Sequence, residues 1–285
     1  MNGYFQHKDT LAHLFVEVYN HLQYDFINIG DNDLRLGIKK LQKLEAEANF
    51  DFISANIFYQ GENSKHIFKP YKIIKTGNIS LGFIGLASNP PVLLENLKVL
   101  DPIEAYKAIY KEIEDQCDYI IAVIALNAMD EYGFMASDIE TDLIISANQY
   151  RYTRYLNNEK GKILLMTEHE GKNVYKITGH INDPAKPFGN VSYLQYSNMI
   201  HEKRLERYQS IAGEKTIEEH YKDQPRVIKS VNEIRQKQKE MENEIEQITN
   251  PLTLDVIEIE LDTKLDKTIE KRMNHYKEII KSLDK

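Results

Sequence analysis

Apolar positions in the first part of the chain switch between a helical spacing and short continuous runs. In residues 11–22, Leu11, Leu14, Phe15, Val18 and Leu22 recur every three or four positions, which predicts a helix with Asp9 or Thr10 as its cap. It leads into a short apolar run, 24–30, closed by Gly30, and then a second helical spacing over 36–48. Runs at 50–55, 71–75 and 79–85 read as strands. Residues 101–116 place Ile103, Tyr106, Ile109, Tyr110 and Ile113 on one helical face. Directly afterwards, residues 119–126 are apolar without interruption, the pattern of a strand covered on both faces, and 142–146 repeat it. Residues 162–166 and 173–178 flank Glu168, His169, Glu170, Gly171 and Lys172, which predicts a hairpin with a solvated turn. Strand and helix alternate up to about residue 180, so the expected body is an α/β layered domain closed by an antiparallel pair.

The tail is patterned differently. From 191 to 250 it is rich in Lys, Glu and Gln, and after Pro225 apolar residues recur at Val227, Val231, Ile234, Met241, Ile245 and Ile248, an amphipathic helix paired with one before the proline. The run is short for a coiled coil and reads as packing on the parent domain. Pro251 ends it, 252–261 alternates as a strand does, and Leu265, Ile269, Met273, Tyr276, Ile280 and Leu283 mark a final helix. The division expected is 1–190 as the α/β body and 191–285 as a helical extension with one late strand.

Composition narrows the function classes. Lys and Arg number 36 against 44 Asp and Glu, a formal net charge of −8, opposite in sign to what binding a nucleic-acid backbone requires. The single cysteine, Cys117, excludes an internal disulfide and a multi-cysteine metal site, and no C-x-x-C-H is present to attach haem. Neither a secretory leader nor a membrane span is visible in the sequence.

Several ordered segments carry a resemblance. Residues 24–37, reading Y-D-F-I-N-I-G-D-N-D-L-R-L-G, resemble the "Y-D-A, three residues, G-N-H-E-F-D-x-G" element of 5'-nucleotidases. F-I-S-A-N-I at 52–57 resembles "F-P-x-L-S-A-N-I", and K-P-Y at 69–71 followed by G-N-I-S-L-G-F-I-G-L at 77–86 is similar to "K-P-Y" and "G-x-K-V-G-I-I-G-L". The strands at 118–126 and 142–146 look like two later ones. Over residues 10–180 the chain thus resembles the 5'-nucleotidase branch of the calcineurin-like metallophosphoesterases. The fold this implies is a layered α/β sandwich lacking its first strands, since the family's D-x-H and G-D strands would precede residue 10. The tail is also similar to a segment of bacterial members that precede multihaem cytochrome domains, which implies a protein partner, with a multihaem cytochrome as the candidate. A periplasmic or extracellular location is implied if the chain follows the family.

The same resemblance implies where chemistry would sit and what has replaced it. Family members use paired divalent cations about 3.5–4 Å apart to generate a hydroxide and clamp the phosphate. At the G-N-H-E position this chain has Asp31 for the ligand asparagine, Asn32 for the catalytic histidine, and Asp33; Asn32 cannot act as a general acid near neutral pH. Seven residues past Asp118 the expected histidine ligand is Ala125, and the two histidines of G-H-x-H become Asn148 and Tyr150. No catalytic residue, metal or cofactor is expected. The reading is a pseudoenzyme serving as a binding or assembly module. Its alternative is a metal-dependent phosphoesterase whose site is rebuilt from Asp31, Asp33 and Asn148 with ligands from another chain, and a third is a fragment of a longer protein.

Other constellations read more plainly. His7, His13 and His21 lie around the first helix as surface residues, and Asp130, Glu131, Asp138, Glu140 and Asp142 form a charged loop around Gly133 whose spacing does not suit calcium. Arg151, Tyr152, Arg154 and Tyr155, next to Tyr150, form a candidate contact loop, because alternating Tyr and Arg can stack on a planar group or anchor a protein contact. Eighteen tyrosines and no tryptophan suit a contact-rich surface.

Overall fold

The computed structural model describes residues 2–61, 65–90, 96–147, 153–168, 171–260, 263–264 and 266–283. In chain order the elements are α1 Asn2–His21, β1 Phe26–Asn28, α2 Asp31–Leu34, α3 Ile38–Glu47, β2 Asp51–Ile53, β3 Ile57–Tyr59, β4 Tyr71–Thr76 and β5 Ile79–Ala87. They continue with β6 Leu97–Val99, α4 Pro102–Ile113 with a 3-10 turn after it, β7 Tyr119–Ala125, α5 Ala128–Ala136, β8 Leu143–Ala147, β9 Asn157–Glu159, β10 Lys162–Met166 and β11 Asn173–Gly179. The last are β12 Gly189–Asn190, α6 Ser192–Ala212, α7 Ile217–His220, α8 Pro225–Gln247, β13 Pro251–Glu258 and α9 Lys267–Leu283. The expected mixed α/β layering is present. None of the helices among the described residues is long and apolar enough to cross a membrane.

The central sheet runs β4-β5-β7-β8-β10-β9, with β5, β7, β8 and β10 parallel and the two edge strands antiparallel. Its faces are covered by different layers. Ile120, Ala122 and Ile124 of β7 pack with Tyr106, Ile109 and Ile113 of α4 and with Phe134 and Met135 of α5. On the opposite side, Ile121 and Val123 meet Leu252, Leu254, Tyr175 and Ile177 from a second sheet ordered β11-β13-β12. Burial on both faces is why β7 shows no polar alternation. A third cluster joins α1 and α3 to the small parallel pair β1–β2 through Val16, Ile29, Leu41, Leu44, Phe50 and Phe52.

Two sequence expectations are corrected here. Residues 162–166 and 173–178 do not form a hairpin. Leu164 and Leu165 point to opposite faces and are both buried, so β10 belongs inside the central sheet beside β8, whereas β11 has one wet face, with Val174 exposed, and pairs along its length with β13. His169 and Glu170 lie outside the described residues. Of the charged loop expected around Gly133, Asp138, Glu140 and Asp142 do lie in a loop, but Asp130, Glu131 and Gly133 belong to the helix α5: Asn127 caps it by accepting from Met129 and Asp130 N–H, both at 3.0 Å, and Asp130 and Glu131 complement the positive end of its dipole. Gly133 is tolerated within it because Phe134 and Met135 anchor the buried side.

The C-terminal elements are knitted into the body. Strand β13 lies between β11 and β12, and Asn250, just before it, is fully buried with its amide bonded to Lys186 O, Asp183 O and the Tyr119 hydroxyl. Helix α8 starts with Pro225 in its first turn and turns Val231 against Ile217 and Tyr221, with Leu205 and Tyr208 of α6 beside them. Helix α9 packs on α1, where Glu17 receives both Arg272 and the Tyr276 hydroxyl.

Candidate functional site

In a mainly parallel sheet the loops that leave the carboxyl ends of the strands gather at one edge, and ligands of such sheets bind there. Strands β5, β7 and β8 end in register: Ala87 pairs with Ala125, and Ala125 with Ala147. In-register neighbours point to the same face, so three methyl groups form a row across the sheet end on the side where β1 packs. The turn after β1 covers the middle of that row, at Ala125, while Ala87 is buried and Ala147 is exposed. Gly30 approaches Ala125 so closely that a Cβ on the glycine would lie 2.9 Å from the alanine Cβ. A larger side chain at either position would push the turn away.

Asp31, Asn32 and Asp33 form the single turn of α2 over this end. Asp33 Oδ2 accepts the Gly30 N–H at 2.8 Å, folding the carboxylate back onto its own turn. The surrounding protein raises the Asp33 pKa above the ordinary carboxylate range; the Gly30 bond opposes this and nearby Asp31 adds to it. The side chain still keeps an open edge to solvent, as does Asn32, while Asp31 is half-buried. The structure therefore brings Asp31, Asn32, Asp33 and Ala125 together. Asn148, Tyr150, Arg151 and Tyr152 lie outside the described residues, and Arg154 and Tyr155 follow them on the approach to β9.

On the other face of the same strand ends, hydroxyls and carboxylates pair across elements. Ser88, directly after β5 and 1% exposed, donates to Asp130 Oδ2 at 2.5 Å and accepts the Asn127 N–H at 2.8 Å. Asp130 Oδ2 also accepts from the Asn127 amide at 2.8 Å. Ser146, fully buried in β8, donates to Glu131 Oε2 at 2.5 Å. These bonds tie α5 to β5 and β8 and commit both carboxylates to structural partners. The sequence reading missed Ser88 and Ser146. The available signal was a small hydroxyl at the end of an apolar run, with Asn127 in a capping position after the next one.

A pair of divalent cations would need several oxygen and imidazole donors converging on this end. The described residues do not fit that need. The row of methyl groups supplies no donor, Asp33 is engaged by its own backbone, and no three His, Cys, Asp or Glu side chains among the described residues gather where they could hold one ion.

No family model matches the sequence. Among curated proteins, UshA of Salmonella pullorum is 28% identical over 119 residues, 39% of this chain and 22% of that protein. A 5'-nucleotidase of Vibrio cholerae is 31% identical over 108 residues, 35% of this chain and 19% of that one. The matches thus span about a fifth of the curated relatives' length. The structure of the calcineurin-like phosphoesterase YfkN from Bacillus subtilis superposes with a TM-score of 0.60 at 17% identity, covering 99% of this chain and 79% of that one. At that identity the likeness is one of fold. Taken with the ordered motifs from 24 to 146 and the strand ends that meet beneath α2, these matches give the chain the calcineurin-like metallophosphoesterase fold in its 5'-nucleotidase-like form.

Proposed function

We propose that the chain is a non-catalytic, 5'-nucleotidase-like binding or assembly module, in which residues 1–190 supply the phosphoesterase-like body and 191–285 a helical extension stitched to it by β13. The observation that carries this reading is Ala125, at a strand end in register with Ala87 and Ala147, packed directly under Gly30. Hydrolysis by this fold needs donors at the strand ends, and close packing of methyl groups against a glycine leaves no volume for an imidazole at Ala125 without moving the turn. The Ser88–Asp130 and Ser146–Glu131 bonds support it further, because they spend polar groups of the same strand ends on holding α5. The partner that the resemblance of the tail supplies is a multihaem cytochrome. Co-purification from a source that makes such a protein tests that part: recovery of haem protein with the chain is expected, and its absence would remove the cytochrome and leave the partner to be sought elsewhere.

A second reading keeps an enzyme with a rebuilt site, favoured by two carboxylates, Asp31 and Asp33, on one turn above the strand ends. It requires metal-dependent phosphoester turnover that Asp31→Ala abolishes. The module reading requires no turnover from either protein.

A further inference from the structure

A groove of about 380 Å³ opens between the first half of α6 and the outer half of β13. The inward face of β13 carries Leu252, Leu254 and Val256 in alternation, and burial decreases along it: Leu252 is in the core, while Leu254 and Val256 are only partly covered. Met199 and Tyr196 of α6 add to this apolar floor beside the polar Asn173, Ser192 and Gln195, and the Tyr196 ring lies 5.1 Å from that of Tyr155. Two exposed charges of opposite sign stand in the same lining, Arg154 and Glu258, and neither has an ion-pair partner among the described residues. The neighbouring Asp255, by contrast, already faces Lys176 at 3.8 Å.

We propose that this groove docks an extended segment of a partner protein that carries an acidic side chain for Arg154, a basic one for Glu258, and an apolar residue between them for the floor. Charge complementarity selects this occupant. A simple anion would meet Glu258 as well as Arg154, and a purely apolar ligand would strip water from Arg154 and Glu258 without pairing them. The inference deepens the binding-module reading and rests on it in taking a polypeptide as the occupant, yet the groove shares no residue with the strand-end site.

The test is fluorescence polarisation with three labelled peptides: one with the core Glu-Leu-Val-Leu-Lys, one with Gln at both charged positions, and one with Lys at both. The expected result is saturable binding of the first, with the Gln peptide roughly tenfold weaker or worse, about what one well-placed charge pair contributes. Arg154→Glu should weaken the first peptide by a similar factor and turn the preference toward the double-Lys peptide. Arg154 and Glu258 are exposed, so Arg154→Glu and a parallel Glu258→Lys variant are expected to keep the wild-type circular dichroism. Absence of saturable binding, equal affinity for all three peptides, or indifference to both variants would overturn the proposal. So would a concentration-dependent dimer abolished by Arg154→Glu, which would give the groove to a second copy. Phosphoester turnover with bound metal would sink the module reading while leaving the peptide titration to be answered on its own.

Discussion

Removing the side chain of Asn250 tests whether the C-terminal strand is part of the folded core. Asn250 has no exposed surface. Its amide nitrogen donates to Lys186 O and Asp183 O, each at 2.7 Å, and to the Tyr119 hydroxyl at 3.2 Å. Its oxygen accepts Asn182 N–H at 2.9 Å and Asp183 N–H at 3.0 Å. One side chain thereby joins the entry to β13 with the 182–186 loop and with β7. Asn250→Ala would leave four main-chain groups and one hydroxyl without these partners. A buried polar group left unbonded costs about 1–3 kcal/mol, and since several of these groups are only part-buried and can recover water, the total expected is ~3 kcal/mol. For a chain of this length that corresponds to a fall in melting temperature of about 5–6 °C. The assay is urea and thermal unfolding followed by circular dichroism, with a lower midpoint at unchanged slope expected. Asn250→Asp sharpens the test: it keeps the two accepted bonds but turns a carboxylate toward two carbonyl oxygens, so it should be at least as damaging at neutral pH. Burial and those carbonyls would raise the introduced carboxyl's pKa in the folded state, so part of the loss should return as pH falls and it becomes a donor again. A loss under about 1 kcal/mol for Asn250→Ala would refute the reasoning that this site locks β13 in place.

Three further perturbations probe other joints. Because crowding by protein raises the Asp33 pKa in the folded state, its protonated form favours folding below the unfolded carboxylate range, and that contribution is lost as pH rises through the raised value. Asp33→Asn, which keeps an acceptor for Gly30 N–H, should therefore be more stable than the wild type at pH 7, with the advantage shrinking toward pH 4; an equal gain at both pH values would remove desolvation as the cause. A Cβ on Gly85 would lie 2.5 Å from Asn28 Oδ1 and 3.0 Å from Ile53 O, so Gly85→Ala should cost about 1–3 kcal/mol by overpacking β5 against β1 and β2, read from the urea midpoint. An unchanged midpoint would show that the layers separate easily. The Tyr276 pKa is pushed up to about 12 by partial burial and by its bond to Glu17, so its contribution is complete below the ordinary tyrosine value and lost as pH climbs from 10 to 12. Tyr276→Phe should cost about 0.5–1 kcal/mol and speed amide exchange in α9, and unaltered exchange would mean that the hydroxyl does not hold α9 to α1.

The parts of the fold that were legible in the sequence are those where burial writes a local pattern. Residues 119–126 read as a strand covered on both faces because α4 and α5 lie on one side and the β11-β13-β12 sheet on the other. The face Ile103, Tyr106, Ile109 and Ile113 is the buried face of α4. Pairing was not legible, because it depends on residues far apart in the chain. Strands β10 and β11 are neighbours in sequence and looked like partners, yet their partners are β8 and β13, a choice set by whether one or both faces are buried. Helix α5 was hidden by Gly133 and by acidic residues that suit a helix start as well as a loop. Of the site, Asp31, Asn32, Asp33 and Ala125 could be brought together through family motifs, but the row of Ala87, Ala125 and Ala147 exists only through strand register. The Ser88–Asp130 and Ser146–Glu131 bonds likewise require α5 to be placed over the sheet.

The most direct test of the central claim is the metal content of protein purified without chelator, measured by elemental analysis beside phosphodiester and nucleotide hydrolysis with added manganese. The account predicts no stoichiometric metal and no turnover, in the wild type and in Asp31→Ala alike. About two metals per chain with turnover that Asp31→Ala abolishes would contradict it and establish a site rebuilt around α2.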